Sequence, residues 1–113
     1  NNTQAGKKSR DDVEKTIMYM EKQYMKDISL EQVAEVSGIS SFYLSRLLKQ
    51  ELNQTFVGIL TEIRMINALR MLWEGKHSIK EIALQSGYNN ITYFYKVFKK
   101  YTGMSPSEFR AKE

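Results

Sequence analysis

Two groups of side chains in this sequence have the types and the spacing of a surface that hydrogen-bonds a polyanion. Phe42, Ser45, Arg46 and Lys49 fall at i, i+3, i+4 and i+7, and Thr92, Tyr95, Lys96 and Lys99 repeat the pattern. If each segment is helical, each quartet projects from one face. A guanidinium such as Arg46 bonds O6 and N7 of guanine together, worth about 1–3 kcal/mol of discrimination between bases. Lys96 has the charge for the same acceptors without the rigid fork. Phe42, Thr92 and Ile91 suit thymine methyls, and Ser45 and Tyr95 suit base edges or bridging waters. Lys49, Lys99 and Lys100 sit nearer the segment ends, where cations neutralise phosphates and carry no sequence information. Ser40, Ser41 and Asn90 stand at the segment starts, where helical N–H groups meet phosphate oxygens. Exposed Arg and Lys are also simply what a solvated helix face carries, and Phe42 equally suits packing against its own lobe, so spacing alone does not decide.

What must position these residues is a duplicated phrase. SLEQVAEVSGISSFYLSRLLKQ from Ser29 and SIKEIALQSGYNNITYFYKVFKK from Ser78 align Ala34 with Ala83, Ser37 with Ser86 and Gly38 with Gly87 at a spacing of 49. One extra residue near Asn89 shifts the register, and Tyr43/Tyr93, Arg46/Lys96 and Lys49/Lys99 match at 50. Two copies of a helix–turn–helix tolerate an insertion in the turn. Ser29 with Gln32, and Ser78 with Glu81, form capping boxes that open a helix in each copy. Gly38 and Gly87 supply the positive φ of a tight exit, and Ser40 and Asn90 cap the helices that follow. The buried stripes expected there are Tyr43, Leu44, Leu47 and Leu48 in the first copy, and Tyr93, Phe94, Val97, Phe98 and Tyr101 in the second.

Around the copies, Ser9 and Asp12 suit the start of a helix over about Arg10 to Met25, with Val13, Ile17, Met20 and Tyr24 on one face. Phe56 to Glu74 contains no proline and is apolar on several sides, as a sandwiched helix is. At about 1.5 Å per residue it is a rod of about 30 Å, close to one turn of duplex DNA. Ser105-Pro106-Ser107-Glu108 starts a short last helix holding Phe109 inward. The sequence thus predicts an all-α fold of seven helices. Residues 1–8 read as an interdomain linker remnant, 9–53 as a first helix–turn–helix lobe, 54–75 as a central linker helix and 76–113 as a second lobe. Met18, Met20, Met65 and Met71 read as filler between helices and Trp73 as a core anchor. His77, the only histidine, receives no role.

The 113 residues, 42% of them apolar, suffice for one compact domain or two small lobes. The net charge of +4 permits a polyanionic partner without requiring one. There is no cysteine, so disulfides, thiolate metal sites and cysteine nucleophiles are excluded within this sequence. The apolar runs are short and interrupted by charge, which argues against membrane insertion. With one isolated histidine, no glycine-rich phosphate loop and no paired acids on a defined face, neither catalysis nor a cofactor or metal is expected.

The stretch IKEIALQSGYNNITYFYKVFKKYTGMSPSEFR resembles the signature of the AraC/XylS family of bacterial transcription regulators at its A…GY…YF…FKK..G.SP..FR positions, and the likeness extends from about Asp12 to Arg110. It implies two helix–turn–helix lobes joined by a rigid helix, with recognition helices in successive major grooves of double-stranded DNA. The two quartets occupy the family's DNA-facing positions. It also implies a cytoplasmic regulator, with RNA polymerase as a partner and a sensing or receiver domain in the same full-length chain. Two departures stand out: Asn53 replaces a glycine usual after the first recognition helix, and Phe42 and Ile91 place apolar groups where relatives carry polar readers. An alternative reading is a helical protein-interaction module whose basic face docks an acidic partner.

Overall fold

The computed structural model describes residues 2–112, with side chains from Gly6 onward. Among the described residues seven helices follow one another: α1 Asn2–Gln23, α2 Leu30–Ser37, α3 Ser41–Leu52, α4 Phe56–Glu74, α5 Ile79–Gln85, α6 Ile91–Thr102 and α7 Pro106–Lys112. No strand occurs among the described residues, so the all-α, seven-helix reading stands.

The helix ends obey the local chemistry read from the sequence. Ser29 Oγ accepts the Gln32 N–H at 3.2 Å while Gln32 Oε1 accepts the Ser29 N–H at 2.9 Å. Ser78 and Glu81 make the same reciprocal pair at 3.1 and 2.8 Å, and so do Ser105 and Glu108. These boxes satisfy donors that a helix start otherwise leaves to water. Thr55 Oγ1 accepts the Gly58 N–H at 3.0 Å and so opens α4. Both turns close alike: the N–H groups of Gly38 and Ile39 bond the carbonyls of Glu35 and Ala34, and those of Gly87 and Tyr88 bond Leu84 and Ala83. Asn53 holds φ at 55°, the left-handed conformation asparagine tolerates better than other non-glycine residues.

One start differs. α1 begins at Asn2, not near Arg10, and ends at Gln23, not Met25. Ser9 lies inside it because nothing from Lys7 to Asp12 breaks a helix, and the Lys8–Asp12 ion pair at 3.2 Å is an i, i+4 contact that the helical conformation itself creates.

The chain forms two compact units, one through Thr61 and one from Glu62. In the first, α1, α2 and α3 pack together, with Val13, Met20, Val33, Ala34, Leu44, Leu47 and Leu48 buried. In the second, Met65, Ala68, Met71 and Leu72 of α4 form one core with Ile82, Ala83, Tyr88, Phe94 and Phe98. Phe109 of α7 packs edge-on against Phe98 at 6.0 Å. The Arg110 guanidinium donates to the His77 carbonyl at 2.6 Å, tying α7 to the turn before α5.

Several residues assigned inward by periodicity point outward. Trp73 is 71% exposed, so it is no core anchor. It lies one residue past buried Leu72, about 100° round the helix, and Ile66 is displaced in the same way from buried Met65. Met18 is also exposed, on the far side of α1 from Thr16 and Met20. Tyr43 and Tyr93 each precede a buried residue by one position, Leu44 or Phe94, and are exposed. Tyr101 is in phase with Phe94 and Phe98 but stands on the last turn of α6, and is exposed too.

Candidate DNA-binding interface

α3 and α6 each bury one face and free the other. On α3, Leu44, Leu47 and Leu48 are buried, while Phe42, Ser45, Arg46 and Lys49 are exposed and Ser41 is partly so. On α6, Phe94 and Phe98 are buried, while Ile91, Thr92, Lys96, Lys99 and Lys100 are exposed. Both helices begin at a cap that makes the same hydrogen bond. Ser40 Oγ accepts the Tyr43 N–H at 3.0 Å, and Asn90 Oδ1 accepts the Tyr93 N–H at 3.0 Å. Each cap takes the N–H of the third residue, which leaves the first two donors facing out of the helix start, where an anion is favoured.

Among the described residues, Arg46, Lys49, Lys96, Lys99 and Lys100 make no ion pair. Arg70 differs, spending its donors on Glu74 and Asn67. Unpaired cations aligned on a capped, rigid helix keep their Coulomb attraction for an external anion. The Arg46 Cζ lies 5.9 Å from the centroid of the Phe42 ring, and that ring is 71% exposed. Phe42 is therefore not tucked into its own lobe; it stands outside as a platform for the guanidinium, a contact worth about 0.5–1 kcal/mol at exposed sites.

The second face is built differently. Tyr95 is partly buried, its ring edge-on to Phe94 at 6.4 Å and its hydroxyl 3.1 Å from Ser107 Oγ on α7. The structure thus occupies the hydroxyl that the sequence left for a base edge. Glu108, at the start of α7, has its carboxyl held below the ordinary range by hydrogen bonds from Ser105, with a smaller pull from Lys99. Tyr43 and Tyr93, expected in the core, are exposed beside these faces. Their match across the repeat was read as a shared core position.

A helix-turn-helix domain model matches residues 33–112. An HTH-type transcriptional regulator from the cgkA 5′ region of Pseudoalteromonas carrageenovora is 36% identical over 98 residues, covering 87% of this chain and 58% of that protein. The transcriptional regulatory protein YesN of Bacillus subtilis is 42% identical over 73 residues, covering 63% of this chain and 20% of its own length. This chain thus spans only part of the length of these relatives. The C-terminal domain of AraT, a response regulator from Geobacillus stearothermophilus, superposes with a TM-score of 0.87 at 40% identity, covering 90% of this chain and 85% of that one. Outward basic faces on two capped helices, the repeat that carries them and these likenesses converge: the chain belongs to the AraC-type helix-turn-helix family of DNA-binding transcription regulators.

Proposed function

We propose that α3 and α6 are the two reading helices of a sequence-specific regulator, each entering a major groove, so that one chain covers roughly two turns of duplex, about 20 bp. The observation that carries this reading is the duplicated face: the same helical positions bear exposed, unpaired cations behind the same N-terminal cap in both copies. Arg46 and Lys96 read bases, together with Phe42, Ser45, Ile91 and Thr92, and Tyr95 reads only by exchanging Ser107 for a base edge. Ser40, Ser41, Lys49, Asn90, Lys99 and Lys100 hold phosphates and set the register. The functional lobes are residues 9–53 and 76–113, with 54–75 as the helix between them and residues 1–8 leading out to another domain. The role is binding, not catalysis.

Because the two faces carry different side chains, the preferred site is non-palindromic. Selection from a random duplex library at near-physiological salt tests this. The expected winner has two blocks about 10 bp apart, one relaxed by Arg46→Ala and the other by Lys96→Ala. A footprint confined to one block, or binding indifferent to sequence and steeply salt-dependent, overturns two-helix reading.

The AraT domain comes from a response regulator, which supports a receiver or other sensing domain in the full-length protein. RNA polymerase is the partner through which such a regulator acts on transcription, in the bacterial cytoplasm.

A further inference from the structure

We propose that the two copies of the motif divide the work of binding. The second unit holds the duplex electrostatically, with Lys80 of α5 as a further phosphate contact, whereas Glu31 at the same position of α2 withholds that grip from the first unit. The inference rests on α3 and α6 being reading helices, and extends the contact surface to the helix that precedes each of them.

The charge is unevenly placed. Residues 1–61 hold eight Lys and Arg against eight Asp and Glu, and residues 62–113 hold nine against five, so the whole net charge of +4 belongs to the second unit. Within the repeat the contrast persists. α2 and α3 carry Arg46 and Lys49 against Glu31, Glu35 and Glu51, a net charge of −1. α5 and α6 carry Lys80, Lys96, Lys99 and Lys100 against Glu81, a net charge of +3. A polyanion is drawn to the second pair of helices and meets a weakly repulsive first pair.

Glu31 and Lys80 occupy one place in the repeat. Each is the second residue of its helix, and each is followed two and three places on by buried residues, Val33 and Ala34 in α2, Ile82 and Ala83 in α5. The two side chains therefore leave their helices at the same phase, and both are exposed. The first helix of a helix–turn–helix crosses the phosphate backbone while the second enters the groove. In α2 the exposed Glu35 stands one turn beyond Glu31, a like charge on the same face; in α5 the uncharged Leu84 takes that place. Lys80 has no carboxylate three or four residues on, and makes no ion pair among the described residues. A cation in a first turn also opposes the positive end of the helix dipole, where Glu31 is favoured. Helix stability thus argues against a lysine at this place, and an external phosphate offsets the conflict.

The test is equilibrium binding of the 113-residue chain to its selected duplex between 50 and 200 mM salt, with thermal midpoints to show that every variant is folded. One phosphate contact contributes about 0.9 to the steepness of log affinity against log salt, or about 3.5-fold across this range. Lys80→Gln is expected to lose that steepness and Lys80→Arg to keep it. Glu31→Lys is expected to gain it, since a single reversal gives the first unit the grip it lacks. Glu14→Lys, at an exposed position of α1, makes the same change in net charge outside the motif helices and is expected to leave the slope unmoved. None of these changes alters the selected motif, since phosphate contacts carry no base information. An unchanged slope in Lys80→Gln overturns the proposal, as does a slope in Glu31→Lys no steeper than in Glu14→Lys, or a motif that changes at a base position. If the unsubstituted chain selects no motif and neither Arg46→Ala nor Lys96→Ala weakens its binding, the reading of α3 and α6 fails and this inference falls with it. A clear motif with unmoved slopes overturns this inference alone.

Discussion

Replacing Phe42 by alanine separates two roles for an aromatic ring on the reading face. The ring is 71% exposed, so its removal leaves no cavity and returns little apolar area to water. Folding stability should change by less than about 0.5 kcal/mol, as for a surface substitution. The Arg46 guanidinium, 5.9 Å above the ring, loses its platform. That contact is worth about 0.5–1 kcal/mol, so DNA affinity should fall about 2- to 5-fold through Arg46 alone, and further if the ring also meets a thymine methyl. A double-mutant cycle of Phe42→Ala and Arg46→Ala, read by titration on the selected duplex with urea unfolding in parallel, isolates the pair. The expected coupling is about 0.5–1 kcal/mol in binding and near zero in stability. Additive binding losses refute the platform. A stability loss above about 2 kcal/mol refutes the exposed placement, because only a packed ring costs that much.

Other substitutions probe the frame. Phe94→Ala, at a fully buried position, should cost about 3–5 kcal/mol in chemical unfolding, while Trp73→Ala should stay within about 0.5 kcal/mol despite removing the larger ring. Asn53→Val forces a β-branched residue to φ 55° and should destabilise by about 1–3 kcal/mol, with Asn53→Gly neutral or stabilising. Acid should act on the helix starts at Ser78 and Ser105. Hydrogen bonds from Ser78 and Ser105 lower the pKa of Glu81 and Glu108. Their contribution is therefore complete above the ordinary carboxylate value and is lost as pH falls through the lowered folded value. The double variant Glu81→Gln, Glu108→Gln keeps an acceptor at each box, and its thermal midpoint should fall less steeply with acid than that of the unsubstituted chain. The box at Ser29 already uses Gln32 and titrates nothing.

Local chemistry explains why so much of this fold was legible in the sequence. A hydroxyl or amide three residues before its N–H partner, a glycine or asparagine at a left-handed exit and a proline on a first turn act within a few residues, so their outcome needs no tertiary information. The bounds of α4, the caps at Ser29, Ser40, Ser78 and Asn90, and the outward Arg46 and Lys96 all follow from that range of interaction. The strongly apolar phases, Leu44, Leu47 and Leu48 or Phe94 and Phe98, were equally secure because each has one side to hide.

Residues at the margin of a stripe were settled only by the packed structure. Tyr43, Tyr93 and Trp73 are apolar enough to be read inward, yet each stands about 100° from a buried neighbour, and the width of the facing helix decides whether the core reaches that far. The Phe42 ring is exposed although its sequence allowed either placement. The pairing of Tyr95 with Ser107 across α6 and α7, and the stack of Arg64 on Tyr88 across α4 and the turn before α6, join residues 12 and 24 positions apart. Periodicity reports the phase of a side chain on its own helix. Which group from another helix comes to meet it depends on helix packing, and that only the tertiary structure decides.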